Sequence, residues 1–132
     1  MTAELTDRDL EMLTGTNFAT FVTLDEDGLP HSTLIWIDAA DGNVVVNTAK
    51  GRVKDRNVRR DPRVSVLVIR EGDAYDWMSV AGTVVDIEEG DRAERHIDEL
   101  SQRYDGHGYR YTSGQVREIL TIRPERIIRY KD

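Results

Sequence analysis

The sequence contains no cysteine among its 132 residues, and this absence excludes disulfide bonds, thiolate nucleophiles and cysteine-ligated iron–sulfur clusters. It also lacks an apolar run long enough to span a membrane. The first residues show neither the basic region nor the apolar region of a signal peptide. We therefore expect a cytoplasmic protein with no membrane partner.

Common motifs of catalytic and metal sites are missing as well. The chain has no nucleophile elbow, phosphate-binding loop or dinucleotide fingerprint. Its three histidines, His31, His96 and His107, share no metal-ligand spacing. We expect no metal site, and we assign no side chain as catalytic.

Negative charge predominates, with 25 acidic residues against 18 lysines and arginines and a net charge of −7. This balance argues against nucleic acid or an anionic membrane as the main partner. The length is usual for one domain, and we expect a single domain over residues 1–132.

Six segments are rich in β-branched and aromatic residues and are bounded by turn residues, which is typical of strands. They cover residues 18–24, 30–38, 43–48, 63–70, 77–87 and 117–130. Gly82 is expected to mark a bulge, and Pro124 to split the last strand. Both alternating sets of positions in 63–70 are apolar, including Leu67 and Ile69, which predicts a strand buried on both faces.

Three helices are predicted around these strands. The first begins at Thr6, where Asp9 three residues later gives a weaker form of the capping box, and ends at Gly15. The second lies in a basic segment and would place Val53 inward together with either Asn57 or Val58. The third covers residues 91–104, with one apolar face formed by Ala93, Ile97, Leu100 and Tyr104. Most gaps between strands are too short for crossover helices, so we predict a mainly β fold, a six-stranded antiparallel barrel that is closed or partly closed.

The distribution of positive charge points to a function. Residues 50–63 contain seven lysines and arginines against two aspartates, so this segment carries +5 and the rest of the chain −12. Cations near the N-terminus of a helix suit a phosphate group. A charged run also commonly faces solvent and pairs with the protein's own acids. The residues alone leave both interpretations open.

Few residues are suited to holding an aromatic ligand. The side chains able either to stack on a ring system or to fill a core or an interface are Tyr75, Trp77, Tyr109 and Tyr111. A barrel with one phosphate-suited segment and no catalytic side-chain set fits a protein whose chemistry resides in a redox cofactor.

Three stretches of the chain, residues 30–37, 45–64 and 80–84, carry a family resemblance. The second ends in the pattern Asn-x-x-Arg-Asp-Pro-Arg at 57–63, and a valine-rich strand and a Gly-Thr strand follow. These stretches resemble the FMN-binding split β-barrel superfamily. Within it, the chain is most similar to pyridoxamine-phosphate-oxidase-like enzymes of actinobacteria that use the deazaflavin coenzyme F420. The resemblance covers about residues 6–130.

The resemblance implies a homodimer with two cofactor sites at the subunit interface. The positions that match phosphate contacts of the family are Thr48, Lys50, Arg52, Lys54 and Asn57. The second strand would follow the edge of the cofactor ring, and the residues implied there and beside it are Ser32, Thr33, Leu34, Trp36 and Asn47. The residues implied to close the pocket from the partner subunit are Tyr75, Trp77 and Met78.

The choice of cofactor rests on the C-terminus and on the number of cations. Residues 123–132 lack the usual closing pattern of pyridoxamine phosphate oxidases, which argues against oxidation of pyridoxamine phosphate. The long anionic tail of coenzyme F420 would use more cations than a single phosphate. Arg56, Arg59 and Arg60 either contact this tail or belong to the surface.

The expected activity is hydride transfer from reduced coenzyme F420 to an unsaturated small-molecule acceptor. The alternatives on the same fold are an FMN-dependent oxidase or reductase of the pyridoxamine-phosphate-oxidase type, and a non-catalytic F420- or flavin-binding protein. A nucleic-acid binder is disfavoured by the overall acidity. The product's proton would come from water or from a pocket tyrosine, and the sequence does not distinguish them.

Overall fold

The computed structural model describes residues 2–111 and 114–130. Thr112 and Ser113 and the last two residues of the expected domain lie outside the described residues. The elements in chain order are α1 Asp7–Thr14, β1 Phe18–Leu24, β2 Pro30–Trp36, β3 Asp38–Ala40, β4 Asn43–Ala49, α2 Val53–Arg60, β5 Arg63–Ile69, β6 Trp77–Glu89, α3 Asp91–Asp105 and β7 Arg117–Arg129.

All strand pairs are antiparallel, and the seven strands form one curled sheet in the order β2-β1-β5-β6-β7-β4-β3. The prediction of six strands was wrong because the segment 30–38 divides at Ile37. The backbone N–H of Ile37 donates to the hydroxyl of Tyr104 at 3.2 Å, and its carbonyl accepts from Arg103 at 3.1 Å. Contacts with α3 thus replace ladder bonds at this residue.

The two edge strands of the sheet, β2 and β3, are consecutive in the chain with only Ile37 between them. The sheet must therefore curl until its edges meet, which gives the expected split barrel. Alternate side chains fill its interior, and the largest fully buried ones include Phe21, Val46, Val66 and Leu120.

The three helices close the barrel in different ways. The first begins with the predicted capping box, in which the Asp9 N–H donates to Thr6 Oγ1 and the Thr6 N–H donates to Asp9 Oδ2. Arg129 of β7 also donates to the Asp9 carboxylate, at 2.6 and 2.9 Å. The second helix contacts β1, where Asn57 donates to Thr23 inside the barrel. The third lies over β4 and β7 through its predicted apolar face.

Two burial predictions were wrong. Val53 is exposed, and α2 buries Asp55 together with both Asn57 and Val58, the predicted companions of Val53. The segment 63–70 is buried on one face only, because its other set of side chains faces outward from the barrel, where Ile69 is exposed.

Proline at position 124 does not end β7, contrary to the prediction. The pairing of β4 with β7 ends at Ile122, so no partner strand needs the missing N–H on that side. On the other side the register with β6 shifts between Ala81 and Gly82, at the predicted bulge. A side chain at Gly82 would place its Cβ 2.2 Å from the carbonyl oxygen of Arg123. Only glycine allows the two backbones to approach this closely.

Gly82→Ala is expected to lower the free energy of unfolding by about 3 kcal/mol, because the backbone of β7 must move away from the new methyl group. Gly42→Ala is the comparison, since Gly42 has a φ of 80° and nothing near its added Cβ, so backbone strain alone should cost about 1 kcal/mol. Urea unfolding of both variants measures the difference. Equal losses would contradict the close approach.

Candidate functional site

A cavity of about 210 Å³ lies at the seam where β2 approaches β4, beneath α3. Strands supply its floor, the turn before α2 supplies one side and α3 the other. The lining residues are Phe18, Leu34, Ile35, Trp36, Asn47, Arg52, Lys54, Ile97, Leu100, Tyr109 and Arg117. Three of the described lining residues are cations and none is an acid.

The three cations come from two elements that are distant in sequence. Arg52 and Lys54 stand at the start of α2, and Lys54 Nζ donates to Thr33 Oγ1 at 3.1 Å. Burial, together with the charges of Arg52 and Arg117, lowers the pKa of Lys54. These cations repel one another, and an anion between them would relieve that repulsion.

Arg117 is the most deeply buried cation of the cavity, with only 3% of the residue exposed. Its Nε donates to Asn47 Oδ1 at 2.9 Å, its Nη1 donates to the Tyr109 hydroxyl at 3.1 Å, and its guanidinium lies 5.0 Å from the Tyr109 ring centre. The hydrogen-bond partners that the structure describes for Arg117 are thus neutral. Burial lowers the pKa of Arg117. A buried arginine without a carboxylate partner is costly unless an anion binds there.

The opposite wall of the cavity is apolar and aromatic. Trp36 stacks on Tyr104, with ring centres 5.3 Å apart and planes 11° apart, and Phe18 packs against the same tyrosine at 5.4 Å. The Tyr104 hydroxyl donates to the carbonyl of Asn17 at 2.6 Å, which fixes the wall to α3. Leu34 forms the rim and is 70% exposed, so the cavity is open on this side.

Five of the thirteen predicted cofactor residues line this cavity: Leu34, Trp36, Asn47, Arg52 and Lys54. Thr33 lies beside it through its bond from Lys54. Ser32 is exposed on β2, and Lys50 pairs with Glu89 at 2.9 Å. The other predicted cofactor residues are not among the described residues that line the cavity.

Three of those remaining residues lie in the interior. Thr48 faces into the barrel opposite Glu118, and Asn57 donates to Thr23. Met78 is 1% exposed and belongs to the core. Tyr75 is exposed, and Trp77 stacks on Tyr130 away from the cavity.

The cations of the basic segment point in different directions. Arg52 and Lys54 face the cavity, whereas Arg63 pairs with Asp61 at 2.7 Å. Arg56 donates to the carbonyl of Gly51, and Arg60 to the side chain of Asn57. The solvent-facing interpretation therefore describes part of the segment, and phosphate binding stays a prediction for Arg52 and Lys54.

An acid pair lies inside the barrel behind the cavity. Arg59 donates to Asp55 Oδ1 and to Glu118 Oε2, both at 2.8 Å, and the Gly51 N–H donates to Asp55 Oδ2 at 2.7 Å. Burial and the adjacent carboxyl of Asp55 raise the pKa of Glu118 to about 7. Burial opposes ionisation of Asp55 too, but its hydrogen bonds, including those with Glu118, Gly51 and Arg59, hold its pKa below the usual value. The pair is thus one carboxylate next to one readily protonated carboxyl.

The sequence profile of the pyridoxamine 5'-phosphate oxidase family matches residues 5–131. The chain belongs to this family. The match spans the whole barrel and confirms the resemblance found in the sequence. At the level of the family, it places the chain among oxidoreductases whose fold binds flavin-type cofactors.

Several solved structures share the fold of this chain. An F420 reductase matches with a TM-score of 0.79 at 24% identity, over 89% of this chain and 94% of that one. A conserved hypothetical protein from Mycobacterium tuberculosis matches with a TM-score of 0.77 at 24% identity, over 98% and 86%. A putative pyridoxamine 5'-phosphate oxidase from Listeria innocua matches with a TM-score of 0.70 at 21% identity, over 96% and 98%.

Some cavity residues of this family member were not found from the sequence. Arg117 is the most important, because it follows an irregular loop and nothing nearby in sequence marks it as facing the same space as Arg52. Tyr109 was named only as a residue able to stack on a ring. Residues 2–111 and 114–130 contain no cluster suited to a metal ion and no helix long and apolar enough to cross a membrane.

Glu118→Gln is expected to remove part of the pH dependence of stability in this pyridoxamine 5'-phosphate oxidase family protein. The pKa of Glu118 is about 7 in the folded state against 4.5 for the free side chain, so folding favours its protonated form between these values. Stability should fall as the pH rises through this window, by at most about 1.4 kcal/mol per pH unit. The lowered pKa of Asp55 acts only at more acidic pH.

Urea unfolding at several pH values between those limits measures the slope for the parent and the variant. Glu4→Gln is the control, because Glu4 is exposed before α1, beside the Pro124 end of β7 and not the Glu118 end. The control should keep the parent's slope. A Glu118→Gln variant with an unchanged slope would show that Glu118 is ionised in the folded protein throughout this range.

Proposed function

We propose that this protein is an oxidoreductase that uses coenzyme F420 to reduce an unsaturated small molecule. The observation that carries the proposal is the convergence of Arg52, Lys54 and Arg117 on one cavity whose described lining has no acid. An aromatic and apolar wall faces them. A phosphorylated deazaflavin needs cations to bind its anionic chain and a flat surface to contact its ring. The cavity offers both.

The two sides of the cavity would divide the work of binding. Arg52 and Lys54 would hold the phosphate, and Arg117 would contact a further anionic group. The second strand pairs only with β1, so its other edge has no ladder partner among the described residues and faces the seam. Its backbone N–H and carbonyl groups are therefore free to bind the edge of a ring system, as the family resemblance implies.

The protein's own residues would position the reactants and exclude water rather than react. When bound, reduced coenzyme F420 would supply the hydride. Trp36 is fixed by stacking on Tyr104, so the wall presents a defined surface. Holding two reactants in a fixed orientation can remove several kcal/mol from a barrier. Tyr109 lines the same cavity, and its hydroxyl would be the group that passes a proton to the product.

Lys54→Ala is expected to weaken binding of coenzyme F420 by about 1–3 kcal/mol, because it removes one charge-assisted hydrogen bond to an anion. Arg63→Ala is the matched control, since it removes the same charge from the same segment at a residue paired with Asp61 outside the cavity. Fluorescence titration of each protein with coenzyme F420 and with FMN measures both the affinity and the cofactor preference.

The titration separates the candidate functions. Tight binding of F420 that depends on Lys54, followed by oxidation of the reduced cofactor by unsaturated acceptors, supports the proposal. Tight FMN binding without F420 binding would assign the FMN-dependent alternative. Cofactor binding without turnover on any acceptor would leave a carrier or storage protein. Equal losses in the Lys54 and Arg63 variants would show that only the net charge of the segment matters.

We also propose that the active form is a homodimer. On strands β2, β1, β5, β6 and β7, alternate side chains point away from the barrel interior. These side chains are mostly uncharged and are half-buried or exposed, and they include Thr20, Leu34, Leu67, Ser79 and Ile128. We name this set the outer face. A cavity of about 210 Å³ is smaller than the roughly 300 Å³ at which ligand pockets usually begin. Leu34 belongs to both, so a second copy on the outer face would enclose the open side.

Ile128→Glu is expected to convert the dimer into a monomer of 15.1 kDa, because it places a charge in the outer face. Ile128 is 51% exposed within one chain, so the change should not unfold it. Val53→Glu is the control, because Val53 has a similar exposure of 41% and lies on α2, outside the five strands of the outer face. Light scattering after gel filtration gives the mass. A parent protein that is already monomeric would contradict the proposal.

A further inference from the structure

A chain of hydrogen bonds leads from the surface beneath α3 to the buried guanidinium of Arg117. Asp38 Oδ2 lies 2.9 Å from His96 Nε2, and Asp38 Oδ1 accepts from Arg103 at 3.1 Å. His96 Nδ1 lies 3.1 Å from Asn47 Nδ2, which also donates to the carbonyl of Ala93 at 2.9 Å. Asn47 Oδ1 then accepts from Arg117 Nε at 2.9 Å. The hydrogen bonds therefore connect Asp38 to His96, His96 to Asn47, and Asn47 to Arg117.

We propose that His96, held by Asp38, is a positioning residue that keeps the guanidinium of Arg117 aimed into the cavity through the side-chain amide of Asn47. The proposal rests on the proposed function only where it states that Arg117 binds an anion. Neither His96 nor Asp38 lines the anion cavity, and both act through Asn47.

The direction of each hydrogen bond follows from the chemistry of the groups. An ionised Asp38 can only accept, so His96 Nε2 carries the proton and Nδ1 is free to accept from Asn47. This fixes which way the Asn47 amide points, and its oxygen is then available to Arg117. A doubly protonated His96 would present N–H to N–H, and a reversed amide would lose its bonds with both Ala93 and Arg117.

Sulfate is the probe for anion binding at Arg117, and its affinity is measured at one pH by titration of the folded protein. His96→Asn places a carboxamide oxygen near the position of Nδ1 and should keep the parent's affinity. His96→Phe removes the acceptor and should bind sulfate about ten-fold more weakly. Both variants are neutral at residue 96, so a difference between them reports the hydrogen bond to Asn47 and not charge. Equal affinities of the two variants would contradict the proposal.

The Nε–H resonance of Arg117, assigned by its loss in Arg117→Lys, gives a readout that needs no ligand. At one pH it should have the same position in the folded parent protein and in His96→Asn, and a different position in His96→Phe. A resonance that is the same in all three proteins would overturn the proposal. If no protein binds sulfate or cofactor, the proposed function fails, and the resonance still decides whether His96 positions Arg117.

Discussion

The closure of the sheet at Ile37 is the constraint on which the rest of the structure depends. Because β2 and β3 stand at opposite edges of the sheet and only one residue separates them in the chain, the sheet cannot lie flat. Ile37 gives up its ladder bonds to Tyr104 and Arg103. The same contacts bring α3 over the seam, so that barrel closure and the roof of the cavity arise from one set of hydrogen bonds.

Charge is divided between the two sides of the sheet at this seam. Arg117 faces the cavity, and its neighbour Glu118 faces the barrel interior, because successive side chains of a strand alternate. The acid is balanced inside by Arg59, and the arginine is left with neutral partners outside. A cation can therefore be offered to a ligand without being neutralised by the acid next to it in sequence.

Most elements of the fold could be predicted from periodicity and turn residues, since the strands, the capping box at Thr6 and the bulge at Gly82 all depend on local sequence. The break at Ile37 could not, because its cause is a contact with residues more than sixty positions later. Arg52 and Lys54 were found because they lie in a charged run and match phosphate contacts implied by the family resemblance. Arg117 was missed because its environment is created by Asn47 and Tyr109, and no pattern in one strand reveals such a contact.

Leu34 links two properties that usually vary independently in a protein. It forms the rim of the cavity and also stands in the outer face of the sheet, where it is 70% exposed. A substitution that adapted the rim to a bulkier ligand would therefore also change the surface offered for self-association. Among related proteins, ligand range and quaternary structure would be expected to diverge together, and substitutions at the position of Leu34 would accompany both changes.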